Sequence, residues 1–137
     1  MSSGVQTDQE CVSKFNELKL GRKYTAIFYK MNDTNTQIVV EKTLPAGTPF
    51  SEILTGFPPK ECRYVVVDYG YNEEGANKNR ICFVVWCPDT APIKGKMLYT
   101  SSKDSLRKAL VGIQVEIQGT DASEVQESEF LAKCTKI

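Results

Sequence analysis

The sequence predicts one α/β (α+β) domain, a central β-sheet sandwiched between helices. Three observations carry this expectation. The length, 137 residues, suits one domain and allows a core to form without disulfides or metal. Helical and strand patterns alternate along the chain in the order α-β-β-α-β-β-α-β-α. Two of the strand segments, near 62–69 and 80–87, are apolar on both faces. In the second, Ile81, Phe83 and Val85 point one way while Cys82, Val84 and Trp86 point the other. In the first, Tyr64 and Val66 oppose Val65 and Val67 in the same manner. Strands of that kind sit centrally, covered by helices on both sides.

Taken in order, residues 8–20 read as a helix. Cys11, Val12, Phe15 and Leu18 recur on one face, Asp8 stands where a cap belongs, and Gly21 follows where a left-handed C-terminal residue is expected. Strands near 24–31 and 36–43 flank the turn-rich Asn32-Asp33-Thr34-Asn35. A short helix is expected near 50–56, then the two apolar strands joined by a loop at 70–79. A helical stretch at 93–111 carries an inner stripe of Leu106, Ala109 and Leu110, and a strand at 113–118 follows. The last helix, about 123–134, opens on Ser123 and Gln126 at the spacing of a capping box. No repeat, linker or low-complexity tract interrupts residues 1–137, and residues 1–6 read as a flexible N-terminus.

Composition excludes several classes of function. Seventeen Lys and Arg balance seventeen Asp and Glu, which argues against coating nucleic acid or an anionic membrane by bulk charge. The longest apolar run, Ile81 to Cys87, is far short of the ~20 residues of a spanning helix. The N-terminus lacks the basic and apolar regions of a signal peptide, so a cytoplasmic location is expected. Histidine is absent, which removes Ser-His-Asp and Cys-His catalysis and every imidazole metal ligand. The five cysteines (11, 62, 82, 87, 134) form no C-x-x-C. Cys82 and Cys87 would lie roughly 17 Å apart along an extended strand, beyond the ~7 Å reach of a disulfide. Reduced, mostly buried thiols are expected, with no metal and no cofactor.

The zero net charge conceals an asymmetry. Residues 78–108 carry Lys78, Arg80, Lys94, Lys96, Lys103, Arg107 and Lys108 against only Asp89 and Asp104. The final segment is acidic, with Glu116, Asp121, Glu124, Glu127 and Glu129 against two lysines. Lys103 and Arg107 are spaced i, i+4 on the outer side of the long helix, with Lys94 and Lys96 upstream. A charge run alone is more commonly a solvated helix face, and the functional reading is a docking surface for an acidic protein or a phosphoinositide headgroup. Met97 and Tyr99 would add apolar anchors to the second. Ser105-Leu-Arg-Lys108 matches S-x-x-K, but the companion acylase motifs are missing and Leu106 belongs to the core. The pairs Glu73-Glu74 and Glu127-Glu129 fall where solvation explains them. No nucleophile–base pair is visible, so a binding module is expected rather than an enzyme.

The segment W-C-P-D-T-A-P-I-K-G-K-M-L-Y-T-S-S-K-D-S-L-R-K-A-L-V-G-I, residues 86–113, resembles the signature region of the ADF/cofilin family of actin-depolymerising proteins. The opening M-S-S-G-V, F-N-E-L-K-L-G-R-K-Y at 15–24, E-C-R-Y-V-V-V-D-Y at 61–69 and E-I-Q-G-T-D-A-S-E-V at 116–125 are also similar, so the resemblance runs through essentially the whole chain. It implies a single ADF-homology domain with a mixed central sheet. It further implies binding to actin monomers and filaments with preference for the ADP-bound subunit, and severing and depolymerisation. By position, the monomer-binding surface would combine Ser3, Gly4 and Val5 with Lys94, Lys96 and Met97, continuing through Ser102, Asp104, Arg107 and Lys108. A filament-specific surface would use Lys78 and Arg80 at the base of the 70–79 loop with Lys133 and Lys136, where one acidic position of some relatives is Ala132.

The resemblance also implies regulation. Ser3 matches a serine whose phosphorylation inactivates many relatives, and a phosphate adds about −1.5 to −2 charges. Phosphoinositide headgroups would engage Lys94, Lys96, Lys103 and Lys108, and a filament-disassembly cofactor is a further partner of such proteins. A monomer in the cytoplasm, at the cytoskeleton of the cell cortex, is expected, with no nucleic-acid partner. The basic nuclear signal of vertebrate relatives is missing, so nuclear entry would need a carrier or passive diffusion. A histidine pH sensor cannot operate here, which leaves any pH dependence to a partner or to a perturbed carboxylate or thiol. The alternatives are a coactosin-like or glia-maturation-factor-like module, which would decorate filaments or bind the actin-related branching complex without severing, and a phosphoinositide-binding adaptor.

Overall fold

A computed structural model describes residues 4–135. Its elements are β1 (Gln6–Thr7), α1 (Gln9–Lys19), β2 (Tyr24–Met31), β3 (Gln37–Pro45), α2 (Phe50–Thr55), β4 (Arg63–Glu73), β5 (Ala76–Trp86), α3 (Ile93–Ala109), β6 (Val115–Gly119), a 3₁₀ turn (Ala122–Val125) and α4 (Glu127–Cys134). Among the described residues the strands form one sheet in the order β1-β3-β2-β4-β5-β6. The outer pairs β1·β3 and β5·β6 are parallel and the inner pairs antiparallel, so the sheet is mixed.

The two-sided strands divide the core into two layers. Tyr64, Val66, Phe83 and Val85 face α1 and α3, packing with Phe15, Leu18, Leu106 and Leu110. Val65, Val67, Cys82, Val84 and Trp86 face the other way, toward Ile53 of α2, Val125, and Phe130 and Cys134 of α4. The alternation expected for residues 62–69 and 80–87 is therefore the observed one, and it assigns each helix to a side of the sheet.

Local details depart from expectation where short polar side chains compete for the backbone. Arg22, not Gly21, takes the left-handed conformation after α1, and Asp8 precedes α1 without a side-chain cap bond. The expected loop at 70–79 is strand to its tip. Glu73 pairs with Ala76, leaving Glu74 and Gly75 as a two-residue turn with positive φ at both, the form that matches strand twist. The last helix is split. Asp121 accepts from the Ser123 amide (2.8 Å) and Glu124 from Thr120 (2.7 Å), so the capping box of Ser123 and Gln126 does not form and α4 begins at Glu127. The expected free arm at 1–6 is bound from residue 5 onward. Val5 is 6% exposed in the core, and Gln6 pairs with Gln37 of β3.

Candidate functional site

Helix α3 is held by its aromatic residue and displays the rest. The Tyr99 hydroxyl accepts the Met31 amide of β2 (2.9 Å), and the Tyr64 hydroxyl of β4 donates to the Tyr99 carbonyl. Tyr99, expected as an exposed anchor, is thus an internal fastening, 7% exposed. Ser102 lies on the same inner stripe and is wholly buried, so it faces the core and not a partner. Ala109 is only half-buried, leaving Tyr99, Ser102 and Leu106 as the buried residues of the helix.

The outward face has two halves of different character. In the first turns Ile93 and Met97 are 72% and 67% exposed, and Lys94 is exposed with no ion pair among the described residues. Lys96 leans back to donate to the Asp89 carbonyl (3.0 Å). Strand β1 packs beside α3, and Val5 just before it is buried in the core layer of Tyr99 and Leu106, while Gly4 is exposed. Toward the C-terminus, Lys103 and Arg107 both grip Glu116 of β6, at 2.9 and 2.7 Å. Burial of Glu116 works to raise its pKa, but the Lys103 hydrogen bond and the charges of Lys103 and Arg107 outweigh it and hold the carboxyl below its ordinary 4.5. Two cations expected to face a partner freely are therefore already engaged within the fold. Asp104 and Lys108 remain exposed beside them.

Lys78 and Arg80 lie on the opposite side of the sheet. They stand along β5 across from Tyr71 and Tyr69, two residues of the α4 layer. Lys78 pairs with Glu73 (2.8 Å), and Arg80 is close enough to Cys134 for its charge to act on that thiol. The Tyr71 hydroxyl donates to the Cys134 carbonyl (3.4 Å) and that of Tyr69 to Glu127 (3.2 Å), fastening the hairpin to α4. Lys133 is exposed on α4. The structure so gathers Lys78, Arg80 and Lys133 on one side and Lys94, Lys96, Met97, Asp104 and Lys108 on the other. Ser3 and Lys136 lie outside the described residues.

Two features of this surface are absent from the sequence pattern singled out above. Ile93 extends the apolar patch of Met97, a residue four positions away on one helix face that spacing alone reveals. The Glu116 clamp depends on which strand edge α3 covers, and no local pattern carries that. Among the described residues there is no cluster of metal-ligating side chains, and no helix is long and apolar enough to cross a membrane.

Residues 4–135 match the family model for cofilin/tropomyosin-type actin-binding proteins. Cofilin-1A of Dictyostelium discoideum is 65% identical over 137 residues, all of both chains, and actophorin of Acanthamoeba castellanii is 45% identical over 134 residues, 98% of this chain and 97% of its own. The crystal structure of a Streptomyces griseoflavus cofilin superimposes with a TM-score of 0.91 at 44% identity, covering 97% of this chain and 98% of that one. A match that runs the full length of the fold, α3 and its apolar patch included, settles the assignment: the chain belongs to the family of cofilin/tropomyosin-type actin-binding proteins.

Proposed function

We propose that the protein binds actin monomers and filaments, prefers ADP-bound subunits, and severs and depolymerises filaments as a monomer in the cytoplasm and at the cortical cytoskeleton. The observation that carries this reading is the exposed pair Ile93 and Met97 with Lys94 on a helix fastened to the sheet at Tyr99. Apolar anchors ringed by cations on a rigid element suit a partner with an apolar cleft and an acidic rim. Monomer contact runs along Gly4, Lys94, Lys96, Met97, Asp104 and Lys108, and reaches Arg107 only where a partner replaces Glu116. Filament contact adds Lys78, Arg80 and Lys133 from the other side of the sheet, together with Lys136. Two surfaces on one small domain contact two neighbouring subunits, and tighter binding to one filament twist shifts the filament toward that twist.

Phosphorylation of Ser3 opposes this binding by adding negative charge that an acidic partner repels and that competes for the cations of the surface. Phosphoinositides compete for Lys94, Lys96, Lys103 and Lys108, with Lys103 recruited only against its Glu116 pair. The test is pelleting with ADP-actin filaments together with imaging of filament length, for the native chain, Ser3→Glu, and Lys94→Ala with Lys96→Ala. The native chain is expected to co-sediment and shorten filaments, and both variants to fail. Binding without shortening would identify a coactosin-like decorator. An absence of binding would leave only the fold in common.

A further inference from the structure

The five cysteines fall into two facing pairs and one singleton, Cys11, which donates to the Ile38 carbonyl. Cys82 of β5 and Cys134 of α4 face each other at 3.7 Å, both wholly buried. The second pair stands at the open ends of β4 and β5. The antiparallel ladder ends with Arg63 across from Trp86, and the same register carried one residue further would set Cys62 across from Cys87. Both side chains join the α3 layer of the core, and the two thiols lie close enough for each to act on the other's ionisation. Directly opposed residues on antiparallel strands have Cα atoms about 4.5–5.5 Å apart, within the range a disulfide spans.

The two pairs differ in access and in charge. Cys87 is half-buried and lines a cleft of about 320 Å³ with Lys96, Thr100, Lys103 and Gln118. We propose that Cys62 and Cys87 form a peroxide-reactive dithiol, in which Cys87 is the sulfur that attacks peroxide and Cys62 resolves it to a disulfide. The cleft admits a small neutral oxidant to Cys87. The neighbouring Cys62 thiol, foremost, and then the Lys96 ammonium favour the Cys87 thiolate against the opposing effect of burial. The same contact with Cys87, together with burial, pushes the Cys62 thiol up, so Cys62 keeps its proton until Cys87 has reacted. At Cys82, burial raises the thiol pKa, with Cys134 and Asp68 acting in the same direction, which leaves the inner pair inert.

The step balances with hydrogen peroxide as oxidant. The Cys87 sulfur attacks one peroxide oxygen, the O–O bond breaks, and the second oxygen leaves as hydroxide and is protonated to water. The Cys62 sulfur then attacks the Cys87 sulfenic acid. The S–S bond forms, the S–O bond breaks, and the hydroxide leaves with the Cys62 proton as a second water. Two electrons pass from the dithiol to peroxide, and a reducing dithiol reverses the change.

The test treats the full-length protein with hydrogen peroxide under native conditions, blocks remaining thiols, and maps linkages by mass spectrometry. Native chain, Cys62→Ser, Cys87→Ser and Cys134→Ser are compared after circular dichroism establishes that each is folded. Native chain and Cys134→Ser are expected to lose two hydrogens and yield a peptide linked through Cys62 and Cys87. Cys62→Ser should instead accumulate a Cys87 sulfenic acid, trapped by dimedone, and Cys87→Ser should leave Cys62 unmodified. Iodoacetamide should alkylate Cys87 of the untreated native chain roughly tenfold faster than any other cysteine. The proposal fails if Cys82 and Cys134 link as readily, if Cys62 oxidises without Cys87, or if no thiol reacts at peroxide levels that oxidise glutathione. Should any variant misfold, the native chain's linkage map and alkylation rates decide the question without it.

Discussion

On the α3 side of the sheet, Ile93 and Met97 stand mostly exposed beside Lys94, which has no ion pair among the described residues, whereas on the α4 side the large exposed apolar residue among them is Leu131 at 40% and the charges of Lys78 and Glu73 already meet at 2.8 Å. One surface offers apolar area with charge around it. The other offers charge with little apolar area. The difference teaches that the two surfaces should respond to different perturbations. Removing an apolar anchor should damage the first, and salt should damage the second.

The strongest challenge to that contrast is Met97→Ala. The side chain is two-thirds exposed, so its removal should leave the melting temperature within experimental error while weakening binding to both actin monomers and filaments by roughly tenfold or more. Titration of fluorescent monomers and filament pelleting measure the two affinities. A loss confined to filaments would move the anchor to the wrong surface. Lys78→Ala combined with Lys133→Ala gives the converse, with monomer affinity unchanged and filament affinity reduced a few-fold, most strongly at low salt. An exposed pair such as Lys78 with Glu73 is worth about 0–1 kcal/mol, so its opening opposes a filament contact only weakly.

How far these surfaces were legible in the sequence follows from the kind of signal each residue leaves. Alternation in Tyr64–Val67 and Ile81–Trp86 is a period-two pattern with apolar residues on both phases, and only a covered sheet explains it. Met97 was legible through the resemblance at 86–113, and its neighbour Ile93 through helical spacing. Ser102 carried a readable warning, since it lies three residues from Tyr99 and four from Leu106 on the buried stripe. Val5 carried none, being one apolar residue in a polar segment, and two residues of β1 are too few to show a period. The Glu116 clamp and the Cys62–Cys87 pair depend on which strands become neighbours, a property of topology that no local spacing records.

The mildest test concerns the C-terminal half of α3, where Lys103 and Arg107 are bound to Glu116 rather than presented to a partner. The Glu116 carboxyl is held below its ordinary 4.5 in the folded protein, so the folded state binds fewer protons there than the unfolded chain in that range. Its contribution to stability is therefore fully present above about pH 4.5 and is lost as pH falls through the lowered folded value. Glu116→Gln should lower stability at neutral pH and flatten the acid limb of a plot of melting temperature against pH. At neutral pH the same change frees Lys103 and Arg107, and if Lys103 is a phosphoinositide ligand as proposed, phosphoinositide vesicles should then bind more tightly. A variant that loses stability without gaining vesicle affinity would mean that the clamp serves the fold alone, and that the working cations of α3 are those of its first turns.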